Sequence, residues 1–204
     1  MTPDKLGEQK AVDGLEAGVS ATEINTRSEE NPCARQPSVV ALGMFDGVHI
    51  GHQTLVRQAV SIARNHGWCC VVYTFENHPR SVFGQAPALL MDGSTRRAAL
   101  YALGADRVDM VHFTKTLAEK TPRAFLKLLT RRYDLRGVVA GKAFTFGHKG
   151  AGGIENLRTL GAEMGFEVCE MPDVLIDGEK VSSTRIRAAL QCGDEELAAR
   201  MLGR

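Results

Sequence analysis

From residue 38 onward, short runs of β-branched and other apolar residues alternate with longer stretches in which apolar positions recur every three or four residues. The short runs predict buried strands at 38–42, 69–75, 107–113, 137–140 and 166–171. The longer stretches predict helices at 52–65, 94–103, 122–133 and 154–164. Thr121 is placed to cap the third helix, and Pro122 suits its first position, where the missing N–H would have no intrahelical partner. Gly67, Gly104 and Gly165 each follow a helical stretch, where a left-handed residue commonly ends a helix. Regular strand–helix alternation implies an α/β protein, a Rossmann-like doubly wound parallel sheet of about five strands covered by helices on both faces. Beyond the sheet, 174–181 reads as a short hairpin turning at Asp177-Gly178, followed by helical segments at 183–190 and 194–202.

Residues 1–36 are polar and carry neither period. They are expected to form a flexible N-terminal extension with a short helix at 12–17, leaving one domain at 37–204. A length of 204 residues suits one domain with a tail. The net charge of +1 argues against nucleic-acid or membrane-surface partners, which call for a marked basic excess. No run of about 18 apolar residues predicts a membrane span, and no basic-then-apolar leader opens the chain. The five cysteines, Cys33, Cys69, Cys70, Cys169 and Cys192, are odd in number and include no Cys-x-x-Cys pair. They predict reduced core thiols in a cytoplasmic protein rather than a disulfide framework or zinc knuckle.

The first strand runs into Gly43-Met44-Phe45-Asp46-Gly47-Val48-His49-Ile50-Gly51-His52. In open parallel sheets, ligands bind beyond the carboxyl ends of the strands, and this segment lies there. Gly43, Gly47 and Gly51 allow close backbone approach and positive φ. A helix starting near Gly51 directs its N–H groups and positive dipole end at the same space, which favours phosphate. His49 and His52, three apart, can share one helical face and donate hydrogen bonds to phosphate oxygens. The competing readings are surface histidines or half of a metal site. No glutamate completes His-Glu-x-x-His, and Asp46 is the sole nearby carboxylate, so zinc is the weaker option. A second constellation, Val181-Ser182-Ser183-Thr184-Arg185-Ile186-Arg187, precedes a helix that Ser183 or Thr184 can cap, and its guanidiniums can bind phosphate bidentately. Alone it would be an ordinary capped helix; two phosphate-suited segments in one α/β chain point together to a polyphosphate.

The pair resembles the nucleotidylyltransferase superfamily, with its HIGH-type and Ser-Ser-Thr-x-x-Arg-type motifs. From about residue 39 to the end, the chain is similar to the FMN adenylyltransferase module of bacterial bifunctional riboflavin kinase/FAD synthetases. The segments Thr74-Phe75-Glu76-Asn77-His78-Pro79-Arg80, Thr121-Pro122-Arg123-Ala124-Phe125-Leu126 and Gly141-Lys142-Ala143-Phe144-Thr145-Phe146-Gly147 share in it. The resemblance implies a HIGH-type fold that transfers the AMP moiety of ATP to FMN, giving FAD and pyrophosphate. Mg2+ would arrive with ATP, with no dedicated protein ligands. It implies that His49 and His52 donate to the α- and β-phosphates. Ser182, Ser183, Thr184 and Arg187, rather than Arg185, would grip the β,γ-phosphates, while Gly43, Phe45, Asp46 and Gly51 shape the nucleotide side. Flavin contacts are expected from Thr74, His78, Pro79, Arg80, Phe144 and Phe146. Ala143 departs from the family, which usually has a polar residue there. The chain stops at Leu202-Gly203-Arg204, where the fused kinase would begin, so no kinase domain is expected and a separate riboflavin kinase would supply FMN. The alternatives are a nucleotidylyltransferase for another phosphate-bearing acceptor, or a catalytically weak flavin- or nucleotide-binding module.

Overall fold

A computed structural model describes Cys33 and residues 36–204. The expected extension and its helix at 12–17 lie outside the described residues, apart from Cys33 and Gln36. Strands β1 (Pro37–Leu42), β2 (Cys69–Phe75), β3 (Arg107–Val111), β4 (Asp134–Gly141) and β5 (Glu167–Met171) form one sheet in the order β3-β2-β1-β4-β5. All four pairings are parallel. The chain builds outward from β1 to β3 and then returns to the other side for β4 and β5. Connections therefore diverge between β1 and β4, and a crevice opens beyond their carboxyl ends.

Helices α1 (Ile50–His66) and α2 (Gly93–Ala102) cover one face of this sheet. The short α3 (Lys115–Ala118) precedes α4 (Pro122–Arg132), which covers the other face with α5 (Ile154–Met164). Along β1, Val40 and Leu42 enter the core with Leu126, Leu129 and Leu157, while Val39 and Ala41 enter the core with Val56 and Leu100. A central strand buried on both faces has no side to expose, which is why its sequence is an unbroken apolar run. Strands β6 (Leu175–Ile176) and β7 (Glu179–Lys180) pair antiparallel, and α6 (Ser183–Gln191) and α7 (Glu195–Leu202) close a third cluster around Ile186 and Met201.

The capping expectations hold at Thr121, Gly67 and Gly165, whereas α2 ends on Leu103 in the right-handed region, with Gly104 (φ 99°) after it. Thr121 Oγ1 accepts the Ala124 N–H at 3.2 Å, and Gly67 and Gly165 end their helices with φ of 66° and 82°. The hairpin turns at Asp177 and Gly178, both with positive φ, as a two-residue turn requires. Two boundaries and one added helix differ from expectation for identifiable reasons. Strand β3 stops at Val111 because the Asn77 amide takes both the N–H (2.7 Å) and the C=O (3.1 Å) of Phe113. Strand β4 starts at Asp134, upstream of a register shift that sets Leu135 against Ser38 and Gly137 against Val39, so Arg136 bulges. Helix α3, four residues long, is too short for a period to show.

The expectation that every cysteine is reduced is corrected. Cys33, fully buried, is disulfide-bonded to Cys69 at the start of β2. Partners 36 apart leave no short-spacing signature. Cys70, Cys169 and Cys192 are free; burial pushes the Cys70 thiol up to about 12, which leaves it unreactive. Among the described residues, no helix is long and apolar enough to cross a membrane.

Candidate functional site

A groove of about 390 Å³ opens where β1 and β4 diverge. The loop after β1 lines it with Gly43, Phe45, Asp46, His49, Gly51 and His52. From the far end of the chain, Ser182, Ser183, Thr184 and Arg187 line the same groove. The two motifs, separated by some 130 residues of sequence, therefore face one space. Ser183 Oγ donates to the Asp46 carbonyl at 2.9 Å and stitches them directly together.

The first loop reaches this position through a strained backbone. Phe45, Gly47 and Val48 have φ of 50°, 80° and 42°. For Phe and the β-branched Val, this region costs about 1–3 kcal/mol each and needs surroundings that enforce it. Those surroundings are present. The Phe45 ring is fully buried and meets His52 edge-on at 5.3 Å. Thr74 Oγ1 donates to Met44 O (2.8 Å), and Gln53 Nε2 donates to both Val48 O and Leu202 O (3.0 Å each). Gly43 and Gly51 serve neighbouring rings: a Cβ at Gly43 would lie 2.9 Å from Phe45, and one at Gly51 3.2 Å from His49.

His49 is the N-cap of α1. Its Nδ1 accepts the His52 N–H at 3.3 Å, which places the proton of the neutral ring on Nε2. The two imidazoles stack with centroids 3.6 Å apart. Burial lowers His49 to about 4, against an opposing backbone hydrogen bond and with help from Lys180. Burial, then the neighbouring His49 and Arg96, hold His52 well below the ordinary histidine range. Both rings are therefore neutral donors at pH 7, and His52 Nδ1 is buried without a hydrogen-bond partner among the described residues.

At α6 the cap is Ser182, whose Oγ accepts the Arg185 N–H at 3.2 Å, rather than Ser183 or Thr184. Those two hydroxyls sit on the first turn, one turned to Asp46 and one exposed. Arg187 donates from Nε to Ala88 O (2.9 Å) and from Nη2 to the Asp46 carboxylate. Arg185 instead braces the hairpin through Ile176 O, Glu179 O and the Glu179 carboxylate. The first turns of α1 and α6, where N–H groups lack intrahelical carbonyl acceptors, line the groove with Gly51, His52, Ser183 and Thr184.

A residue that the sequence did not single out lies behind the histidines. Arg96 on α2 is fully buried and donates to Phe75 O (2.7 Å), Glu76 O (3.2 Å) and Met44 O (3.4 Å), with Nε unpartnered among the described residues. In the sequence it is one of two adjacent arginines on a helix, indistinguishable from a solvated charge until the sheet covers it.

A second cavity, about 570 Å³, adjoins the groove and is walled by Phe75, Phe113, Phe125 and Phe146, with Pro79 and the exposed Phe83. Arg80 and Phe144 line both spaces. Of the six residues expected at a flavin, Pro79 and Phe146 line the aromatic slot, and Arg80 and Phe144 stand at its junction with the groove. His78 lines the groove only; its Nδ1 accepts Arg80 N at 3.1 Å, and burial, then Arg187 and Arg80, lower its pKa. Thr74 lines neither space, since it is fully buried with its hydroxyl committed to Met44 O. Ala143 lines the groove and is exposed.

Among the described residues, no three His, Cys, Asp or Glu side chains converge as a metal site. The groove carboxylates are engaged: Asp46 with Arg187 and Leu90 N–H, and Asp173 with Lys180 at 2.6 Å. A dedicated magnesium cage does not fit this donor set.

A strand order that reverses at β1/β4, with two helix N-termini, a histidine pair and a hydroxyl–guanidinium cluster at the reversal, defines a nucleotidylyltransferase-type α/β protein. The chain belongs to the FAD synthetase family, whose model matches residues 31–185. It is 35% identical over 168 residues to a bifunctional riboflavin kinase/FMN adenylyltransferase of Listeria monocytogenes, covering 81% of this chain and 53% of the relative. The corresponding protein of Bacillus subtilis is 35% identical over 171 residues, with the same two coverages. A Listeria monocytogenes protein named FAD synthetase is 30% identical over 81% of this chain and 68% of its own. A crystal structure of a Streptococcus pneumoniae protein described as a macrolide-efflux protein aligns with a TM-score of 0.76 at 30% identity, over 89% of this chain and 57% of that one. The chain thus spans about half the length of the bifunctional relatives, at 53%.

Proposed function

We propose that residues 37–204 form a catalytic module that transfers the AMP moiety of ATP to the phosphate of FMN, releasing pyrophosphate and forming FAD. The observation that carries this reading is the junction of an aromatic slot with a phosphate-suited groove through shared walls at Arg80 and Phe144. An isoalloxazine needs an apolar, partly aromatic enclosure, and a triphosphate needs convergent N–H donors; each requirement has its own compartment.

A phosphate oxygen of FMN attacks the α-phosphorus of ATP and forms the new P–O bond. The bond from that phosphorus to the α,β-bridging oxygen breaks, and its electron pair leaves with pyrophosphate. The attacking oxygen is already anionic, so no base has to remove a proton. The protein's task is to hold two repelling anions in line and to stabilise the charge that shifts to the leaving group. His49, with its Nε2–H set by the cap bond, and His52 donate to the α- and β-phosphates. Ser182, Ser183, Thr184 and Arg187 hold the part that departs. Arg80 neutralises the flavin phosphate, Phe144, Phe146 and Pro79 flank the ring, and His78 acts on the phosphate side. Magnesium would arrive with the triphosphate and would supply charge neutralisation there.

Incubation with Mg-ATP and FMN, followed by chromatography, is expected to give FAD and pyrophosphate in equal amounts. Pyrophosphate release with a different phosphomonoester but not with FMN would replace the acceptor. Binding of both substrates without turnover would reduce the protein to a binding module.

A further inference from the structure

We propose that Asp46 is a positioning residue for Arg187, acting on the polyphosphate only through that guanidinium. The claim rests on the reading of the groove as a polyphosphate site. An ionised carboxylate accepts hydrogen bonds and cannot donate to phosphate, so Asp46 lining an anion groove needs another explanation. Its environment supplies one. The side chain is 2% exposed, one carboxylate oxygen accepts the Leu90 N–H at 2.9 Å, and the other holds Arg187 Nη2. Its main-chain carbonyl takes the Ser183 hydroxyl. Asp46 thus joins the loop after β1, the segment before α2 and the first turn of α6.

The guanidinium is gripped at two points on one side, Nη2 by Asp46 and Nε by Ala88 O. Of its five N–H groups, the two on Nη1 and one on Nη2 have no partner among the described residues. Because the guanidinium is planar, two fixed points set its plane and rotation, and so the direction of the free donors. Asp46 gives up part of the groove's positive charge to obtain that orientation.

The trade gives a test by sign. If Asp46 were merely a nearby negative charge, Asp46→Asn would tighten binding of a polyanion by removing Coulomb repulsion. Positioning requires the reverse. Inorganic pyrophosphate is titrated calorimetrically into the full chain, Asp46→Asn, Arg187→Met and the double variant, with urea midpoints measured for each. Asp46→Asn is expected to weaken binding about 10-fold in the native background and not at all in the Arg187→Met background. Arg187→Lys, which keeps the charge but cannot hold two points, is expected to weaken it by a similar factor and provides a variant with an undisturbed Asp46. Tighter or unchanged binding by Asp46→Asn, equal weakening in both backgrounds, or native affinity in Arg187→Lys would overturn the proposal. Pyrophosphate binding needs no turnover, so a chain that binds it but makes no FAD would sink the functional reading and leave this cycle interpretable.

Discussion

Acidification should destabilise this protein above the range where carboxylates titrate, because its central histidine is buried neutral. His49 is 6% exposed, stacked on His52, and uses Nδ1 as an acceptor, so it has an ordinary pKa of 6.5 when unfolded and about 4 when folded. Between those values the unfolded chain binds more protons than the folded one. Stability therefore rises with pH across the window: nothing is lost above about 6.5, and the loss grows as pH falls toward 4. At about pH 5 the two binding polynomials differ by a factor of about 30, which is about 2 kcal/mol. Asp109 works in the same direction but lower. Its burial is outweighed by hydrogen bonds from Arg107 and Tyr133 and by the charges of Arg132 and Arg107, so its contribution is lost only as pH falls below the ordinary carboxylate range. Urea unfolding at about pH 7.5 and about pH 5 separates the terms when His49→Asn is included. Asn keeps an oxygen for the cap but does not titrate. The variant should lose about 2 kcal/mol less than the native chain over that interval. An identical loss in both, or an NMR titration of the His49 ring near 6.5, would refute the argument.

His52→Ala should lower FAD formation by about 100- to 1000-fold, the scale of one preorganised donor worth roughly 3 kcal/mol; near-native turnover by a folded variant would count against its role. Ala143→Asn is expected to raise FAD formation, since residue 143 is exposed at the groove and an amide meets no packed wall; unchanged or lower turnover would show that the missing amide is not limiting. Reduction of Cys33–Cys69, or Cys33→Ser, should cost about 3–4 kcal/mol, the chain-entropy value for a loop closed at a separation of 36. Urea midpoints with and without dithiothreitol measure this, and no shift would mean that the link constrains nothing in the unfolded chain.

The sheet was legible because β1, β2 and the 137–140 part of β4 are buried on both faces and spell apolar runs, while α1, α4 and α5 carry periodic faces and marked ends. Strand order was not written in any local pattern, yet it is the order that turns Gly43–His52 and Ser182–Arg187 toward each other. Motif spacing indicated which residues belong to the groove but not what each does within it. Thr74 and Thr184 are both threonines in motifs, and only packing shows that the first is sealed under Met44 while the second stays exposed. Cys33 and Arg96 were missed for a related reason: a lone cysteine in a polar stretch carries no sign of its disulfide partner, and an arginine on a helix reads as solvent-facing. Their burial depends on partners 36 and about 20 to 50 residues away.

The charge balance of the free groove bears on turnover. Asp46 neutralises Arg187, Asp173 neutralises Lys180, and the His49 and His52 imidazoles are uncharged, so of the groove's lining cations Arg80 alone has no carboxylate partner among the described residues. Under the proposed function, anion binding would fall to neutral N–H and O–H donors at the ends of α1 and α6, backed by the buried charge of Arg96. Such donors are oriented before substrate arrives and need little reorganisation as charge moves to the leaving group. A groove crowded with unpaired cations would bind the tetra-anionic ground state and pyrophosphate product as strongly as the transition state, which accelerates nothing. The paired charges also limit long-range attraction, so pyrophosphate affinity should fall less with added salt than one ion-pair contact per lining cation would require. A Kd that climbs as steeply as three free cations predict would mean that the Asp46 and Asp173 pairs open when the anion binds.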